Sequence, residues 1–172
     1  MNRKFISFSK KIYQCNKCTR LVNFRNKISL KKRKSYLDQV YWGKPISGFG
    51  DLNGNIIIIG LAPAAHGATR TGRVFTGDKS ADFLFNCLFK SGLSNQPNSD
   101  HINDGLKLKN TFITLALRCV PPEDKPTKEE LKNCSAFFKE ELNMIKNKKV
   151  IVALEKIAFD ACIKFYKENY GI

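Results

Sequence analysis

One short run, Asn55-Ile-Ile-Ile-Ile-Gly60, constrains this chain more than any other feature. Consecutive β-branched residues are stiff at χ1 and fit a strand, and a strand apolar on both sides must be covered on both faces. Two more strand candidates follow, Thr111 to Val120 and Lys149 to Ala153. Helical periodicity fills the intervals. Ser80 to Leu93 sets Ala81, Leu84, Cys87 and Leu88 on one face, and Glu155 to Tyr166 does the same with Ala158, Ala161, Cys162 and Phe165. Thr127 to Ile145 spaces Leu131, Cys134, Phe138, Leu142 and Ile145 helically, with Thr127 and Glu130 forming a capping box just after Pro126. Strands alternating with helices predict an α/β fold, a three-layer α/β/α sandwich around a mainly parallel central sheet. No repeat, Pro-rich linker or low-complexity block divides the 172 residues, so 1–172 reads as a single domain.

Charge narrows the function. Thirty Lys and Arg against fifteen Asp and Glu give a net charge of +15, and twelve of the basic residues precede the first acid, Asp38. A basic stretch of this kind suits a polyanion, although the drift of a Lys- and Asn-rich proteome or an organellar leader gives the same composition. The longest apolar runs are too short to span a bilayer, no signal peptide is visible, and no amphipathic basic helix stands out. The expectation is a cytosolic monomer without a membrane partner.

Open α/β sheets bind ligands beyond the C-terminal ends of their strands, which directs attention to the loops after Gly60 and Val120. The first reads Gly60-Leu-Ala-Pro-Ala-Ala-His-Gly-Ala-Thr-Arg-Thr-Gly-Arg-Val-Phe-Thr-Gly-Asp78. Small residues and Pro63 keep the backbone open, so its amides can hold a carbonyl or a phosphate. A nucleotide phosphate loop is excluded, because Arg73 and Val74 follow Gly72 where Lys and Ser or Thr are needed. His66, Arg70 and Arg73 supply donors. Each residue also has an ordinary structural reading: His66 as a turn residue, Phe75 as core, the arginines as solvated charges, Asp78 as the N-cap of the next helix.

Of six cysteines, Cys15 and Cys18 form a two-residue-spaced pair, Cys119 follows the second strand, and Cys134 lies on the next helix. In a reducing compartment such a set favours metal over disulfides, and spacing alone admits zinc, an iron–sulfur cluster or simple core packing. Cys87 and Cys162 read as buried free thiols on apolar helical faces.

Three stretches carry a resemblance: Tyr41-Trp-Gly-Lys-Pro-Ile-Ser-Gly-Phe-Gly-Asp51, the loop from Ile56 to Asp78, and Arg118-Cys-Val-Pro-Pro-Glu-Asp-Lys-Pro-Thr127, with Val150 to Phe159 in support. Together they resemble the family-5, iron–sulfur type uracil-DNA glycosylases, in order and over nearly the whole chain. The resemblance implies base-excision repair: uracil, or another deaminated base, is flipped out of DNA and its N-glycosidic bond is hydrolysed. It assigns His66, Ala62 and Thr69 to catalysis. Gly60, Leu61, Ala62, Phe75 and Asp78 would bind the base, with Phe75 stacking on it, and Arg70 and Arg73 would bind DNA. Ala62 stands where the wider superfamily often carries a water-activating acid, so stabilising the departing base anion and the cationic sugar would dominate. A 4Fe-4S cluster would sit on Cys15, Cys18, Cys119 and Cys134. Leu115 replaces a polar, base-reading residue. The chain ends at Ile172, before the family's second, His-bearing loop, which predicts an incomplete domain with an exposed apolar sheet edge. The alternatives are a weak or inactive DNA-binding remnant and, outside the family, a zinc-stabilised RNA-binding domain.

Overall fold

The computed structural model describes residues 2–171. Two N-terminal helices, α1 (Arg3–Tyr13) and α2 (Thr19–Leu30), precede the sheet. Strands β1 (Phe49–Gly50), β2 (Ile56–Gly60), β3 (Thr111–Leu115) and β4 (Val150–Ala153) alternate with helices α3 (Ala68–Thr71), α4 (Lys79–Lys90), α5 (Lys128–Met144) and α6 (Lys156–Tyr170). The strand order is β1-β3-β2-β4; β2 runs parallel to both β3 and β4, and only β1 is antiparallel.

Strand periodicity explains the layers. Ile58 and Ile113 join a core with Val74, Phe85 and Leu88 on the α4 side. Ile57, Ile59 and Phe112 join Phe138, Leu142, Ala158 and Phe165 under α5 and α6 on the other. Full burial of each such side chain contributes roughly 1.5–3 kcal/mol. The expected three-layer sandwich is the fold. The capping box is also present: Thr127 accepts from the Glu130 amide and Glu130 reaches back to the Thr127 amide.

Three expectations change. The second strand ends at Leu115 rather than Val120, because Arg118 turns into the interior and pairs with buried Glu141 at 2.7 Å. Cys87 is exposed, since α4 turns Ala81, Phe85 and Leu88 inward instead; Cys162 is buried as expected. The N-terminal segment does hold an amphipathic basic helix. In α1, Phe8 and Ile12 are buried and Phe5 packs edge-on against Phe112, so its apolar face is used within the fold. Among the described residues no helix is long and apolar enough to cross a membrane. At the far edge of the sheet, β4 leaves Val150 and Val152 exposed, with Leu154 just beyond.

Candidate active site and cysteine pocket

The loop leaving β2 is stitched to the segment after β3, with the amides of Ala116 and Leu117 donating to the carbonyls of Gly60 and Leu61 at 2.9 and 2.8 Å. Beside this seam lies a concavity of about 180 Å³, partly open to solvent, lined by Leu61, Ala62, Pro63, Phe75, Asp78 and Leu115 among others. Gly60 lies beneath Phe75: a Cβ there would come 2.8 Å from the Phe75 ring. Phe75 has φ of 46°, a left-handed conformation that a bulky residue adopts only when its surroundings impose it. Strain of this kind gathers at functional sites. Asp78 caps α4, accepting from the Ala81 amide at 2.9 Å as its N-cap reading expects, and it also lines the pocket. Gly67 makes that possible, because a Cβ at this position would fall 1.8 Å from the Asp78 carboxylate. Burial raises the Asp78 carboxyl above its usual range, against the pull of the Ala81 and Ser80 amides.

His66 and Thr69 are in the same loop but outside the pocket lining. His66 Nδ1 is 2.9 Å from the Tyr41 hydroxyl. Burial, then the charges of Arg33 and Arg70, lower its pKa, which favours a neutral ring. In the tautomer in which Tyr41 donates to Nδ1, the ring keeps its hydrogen on Nε2 as a donor. Thr69 is buried, and its hydroxyl has no hydrogen-bond partner among the described residues.

Arg70 and Arg73 do not occupy the phosphate-facing positions expected of them. Arg70 is 9% exposed. It donates to the carbonyls of His66 and Gly77 and to Gln39 Oε1 at 2.6–2.7 Å, and its guanidinium lies 3.9 Å from the Tyr36 ring centre. Arg73 is 4% exposed and forms a two-pronged pair with Asp104 at 2.8 and 2.6 Å, with further bonds to Thr76 and Ser99. Burial opposes the Asp104 carboxylate, yet Arg73 and the Leu106 and Asp100 amides hold it well below the usual range. Both arginines brace the loop from inside. Two pocket residues escaped the sequence argument, Asp124 and Glu155. They follow β3 and β4, where the strand-end rule could have found them. Burial, then Asp124, raises the Glu155 carboxyl.

A second, tight pocket is lined by all four expected cysteines: Cys15 and Cys18 from the turn between α1 and α2, Cys119 after β3, and Cys134 on α5. Three N–H groups point at sulfur. Arg25 donates to Cys119 Sγ at 3.1 Å, the Arg118 amide to Cys134 Sγ at 3.2 Å, and Asn133 to Cys18 Sγ at 3.7 Å. Buried Arg25 otherwise bonds only to the Cys15 carbonyl and Asn16 Oδ1, so no carboxylate answers its charge. Burial pushes the Cys134 thiol up to about 12 and raises Cys119 and Cys18 as well. Among the described residues no three Cys, His, Asp or Glu side chains converge as one bound ion would require. The four thiols and the sulfur-directed N–H groups fit a negatively charged, thiolate-held group, whose charge would answer Arg25.

The family profile described as Uracil DNA glycosylase superfamily matches residues 47–171, which include the whole sheet and both walls of the first pocket. The chain belongs to this superfamily. It is 44% identical over 157 residues to a type-5 uracil-DNA glycosylase of Pyrobaculum aerophilum, covering 91% of this chain and 68% of that protein. It is 41% identical over 160 residues to one from Thermus thermophilus, covering 93% and 72%. It is 42% identical over 151 residues to one from Mycobacterium tuberculosis, covering 87% and 56%. Superfamily membership joins the pocket after β2 to the sequence expectation, since its walls come from the loop that carries the resemblance.

Proposed function

We propose that the chain excises uracil, and other deaminated bases, from DNA. The observation that supports this best is the pocket after β2, where a strained Phe75 forms one wall beside the open backbone of Leu61 to Ala64. A nucleotide swung out of the helix can enter such a pocket and stack on an aromatic ring. The glycosidic C–N bond then breaks with its electron pair passing to the base. The amides of the loop from Leu61 to Ala64 are the donors that face the pocket, and His66, just outside its lining in the same loop, is the side chain that would add a donor to that developing negative charge. Ala62 supplies no base for the attacking water, so leaving-group stabilisation provides most of the acceleration. The Asp78, Asp124 and Glu155 carboxylates around the pocket favour positive charge on the sugar. Water adds to the anomeric carbon and loses a proton, leaving free base and an abasic site.

In the same proposal Cys15, Cys18, Cys119 and Cys134 hold a four-iron, four-sulfur cluster. When bound, it supplies a covalent tie between the N-terminal helices, β3 and α5. Support comes from the shared pocket and from Arg25, a buried cation with sulfur where a carboxylate would be expected. The chain would work as a monomer on chromosomal DNA in the cytosol. The test is incubation of anaerobically purified protein with an oligonucleotide carrying one uracil. Free uracil and an alkali-labile strand are expected; an intact strand with uracil retained overturns the proposal.

A further inference from the structure

The segment from Lys31 to Val40 has no part in the chemistry above, yet it is fixed to the loop that does. Tyr36 and Gln39 turn inward onto Arg70. The backbone amides of Trp42 and Gly43 donate to the carbonyls of Arg70 and Thr69 at 2.8 and 3.0 Å, and Tyr41 holds His66. Within the segment, the Tyr36 and Gln39 amides close turns onto the Arg33 and Tyr36 carbonyls, and Lys32 Nζ bonds the Leu37 carbonyl. The register that turns Tyr36, Gln39 and Tyr41 inward turns Leu37 and Val40 outward, to 63% and 91% exposure. A lone exposed apolar residue needs no explanation. Here two are displayed on a braced turn, directly after the run Lys31-Lys32-Arg33-Lys34, with Asp38 the one acid in the segment.

Position adds the second observation. Tyr36 and Gln39, with Arg70, Gly77 and Asp78, wall an open cleft of about 590 Å³, which Asp82 and Asp100 also line. Asp78 also lines the base pocket, so the cleft and the pocket meet at that residue. Arg33 stands close enough to His66 to depress its protonation. The basic run and the apolar tips of this segment therefore stand together beside the cleft that adjoins the base pocket.

We propose that residues 31–40 form a finger that engages duplex DNA, with Lys31 to Lys34 on phosphates and Leu37 and Val40 wedged against the base stack beside the extruded nucleotide. This rests on the base-excision function proposed above. Apolar wedges of this kind offset the loss of stacking when a duplex is opened or kinked. A single strand has no paired stack to open, so the finger should matter for duplex and hardly at all for single strands.

The test compares wild type with Leu37→Ala/Val40→Ala, both changes on exposed positions. Two readouts are used: binding to a duplex bearing a tetrahydrofuran abasic analogue, which needs no chemistry, and uracil release from paired and single-stranded substrates. The double variant should bind the abasic duplex about tenfold more weakly and release uracil from a G·U duplex about tenfold more slowly, with single-strand release within about twofold. Equal losses on duplex and single strand, or none on either, overturn the finger. If wild type releases no uracil from either substrate, the excision function fails, and the abasic-duplex comparison still decides the finger.

Discussion

Replacing Arg73 with Met removes the guanidinium from a pair that is almost wholly enclosed. Asp104 then keeps its carboxylate buried, with the amides of Asp100, Leu106 and His101 as its remaining donors, at 2.9, 3.0 and 3.3 Å. Breaking a buried pair from one side costs about 3–5 kcal/mol, because the abandoned charge is left without compensation. For a chain of this size each kcal/mol lowers the midpoint by roughly 2–4 °C, so Arg73→Met should melt roughly 6–20 °C lower. Arg73→Met/Asp104→Leu should recover part of the loss, since it removes both charges. The pH dependence has a definite sign. Asp104 has its pKa depressed in the folded state, so its stabilisation is complete above the unfolded value, near 3.9, and fades as pH falls below it. The gap between wild type and Arg73→Met should hold from neutral pH to about pH 5 and narrow below about pH 4. Circular dichroism melts across pH provide the data. An unchanged melting point, with the slope of log affinity against log salt reduced by about one, would mean that Arg73 contacts a phosphate and that the buried pair is misassigned.

Phe75→Ala should weaken binding to DNA with a mismatched uracil by roughly 1–3 kcal/mol in titrations, with little effect on undamaged duplex; equal losses on both would make Phe75 a core residue only. Cys119→Ser and Cys134→Ser should each lose iron by metal analysis, while Cys87→Ala and Cys162→Ala keep it; stoichiometric zinc in wild type would contradict the cluster. Glu141→Gln should lower stability by about 3–5 kcal/mol, because Arg118 stays buried while its carboxylate partner is gone. It should also lower iron content, because the Arg118 amide bonds Cys134 and Cys119 is the next residue; full stability and full iron would remove that coupling.

Strands β2, β3 and β4 and helices α4, α5 and α6 were legible because their periodicity is strong and their termini carry turn chemistry. The Thr127–Glu130 box fixes the start of α5, and the four isoleucines from Ile56 to Ile59 admit little but a buried strand. Strand β1 was not legible. Two residues, Phe49 and Gly50, carry no period, and only pairing with Ile113 and Phe112 makes them a strand. Helix α1 was hidden because its basic residues dominate the composition, although Phe5, Phe8 and Ile12 are at helical spacing. The pocket wall of Leu61, Ala62, Phe75 and Asp78 could be read from the loop, as could the gathering of the four cysteines. The arginines could not. A sequence shows a charge but not its partner, and Asp104 and Gln39 lie thirty-one residues from Arg73 and Arg70 respectively. Asp124 and Glu155 were missed for the related reason that they reach the pocket from connections distant in sequence.

Single-turnover release of labelled uracil from a single-stranded oligonucleotide, by wild type and by His66→Ala, bears most directly on whether the loop after β2 performs the chemistry. Wild type should release uracil and leave an abasic strand. His66→Ala should be slower by roughly 10²–10³-fold, the usual cost of removing one donor from a developing anion, while melting close to wild type and keeping its iron. Equal rates for a folded His66→Ala and wild type would contradict the assignment of His66 and move the leaving-group donor elsewhere. No release by folded, iron-bearing wild type would contradict base excision by this chain.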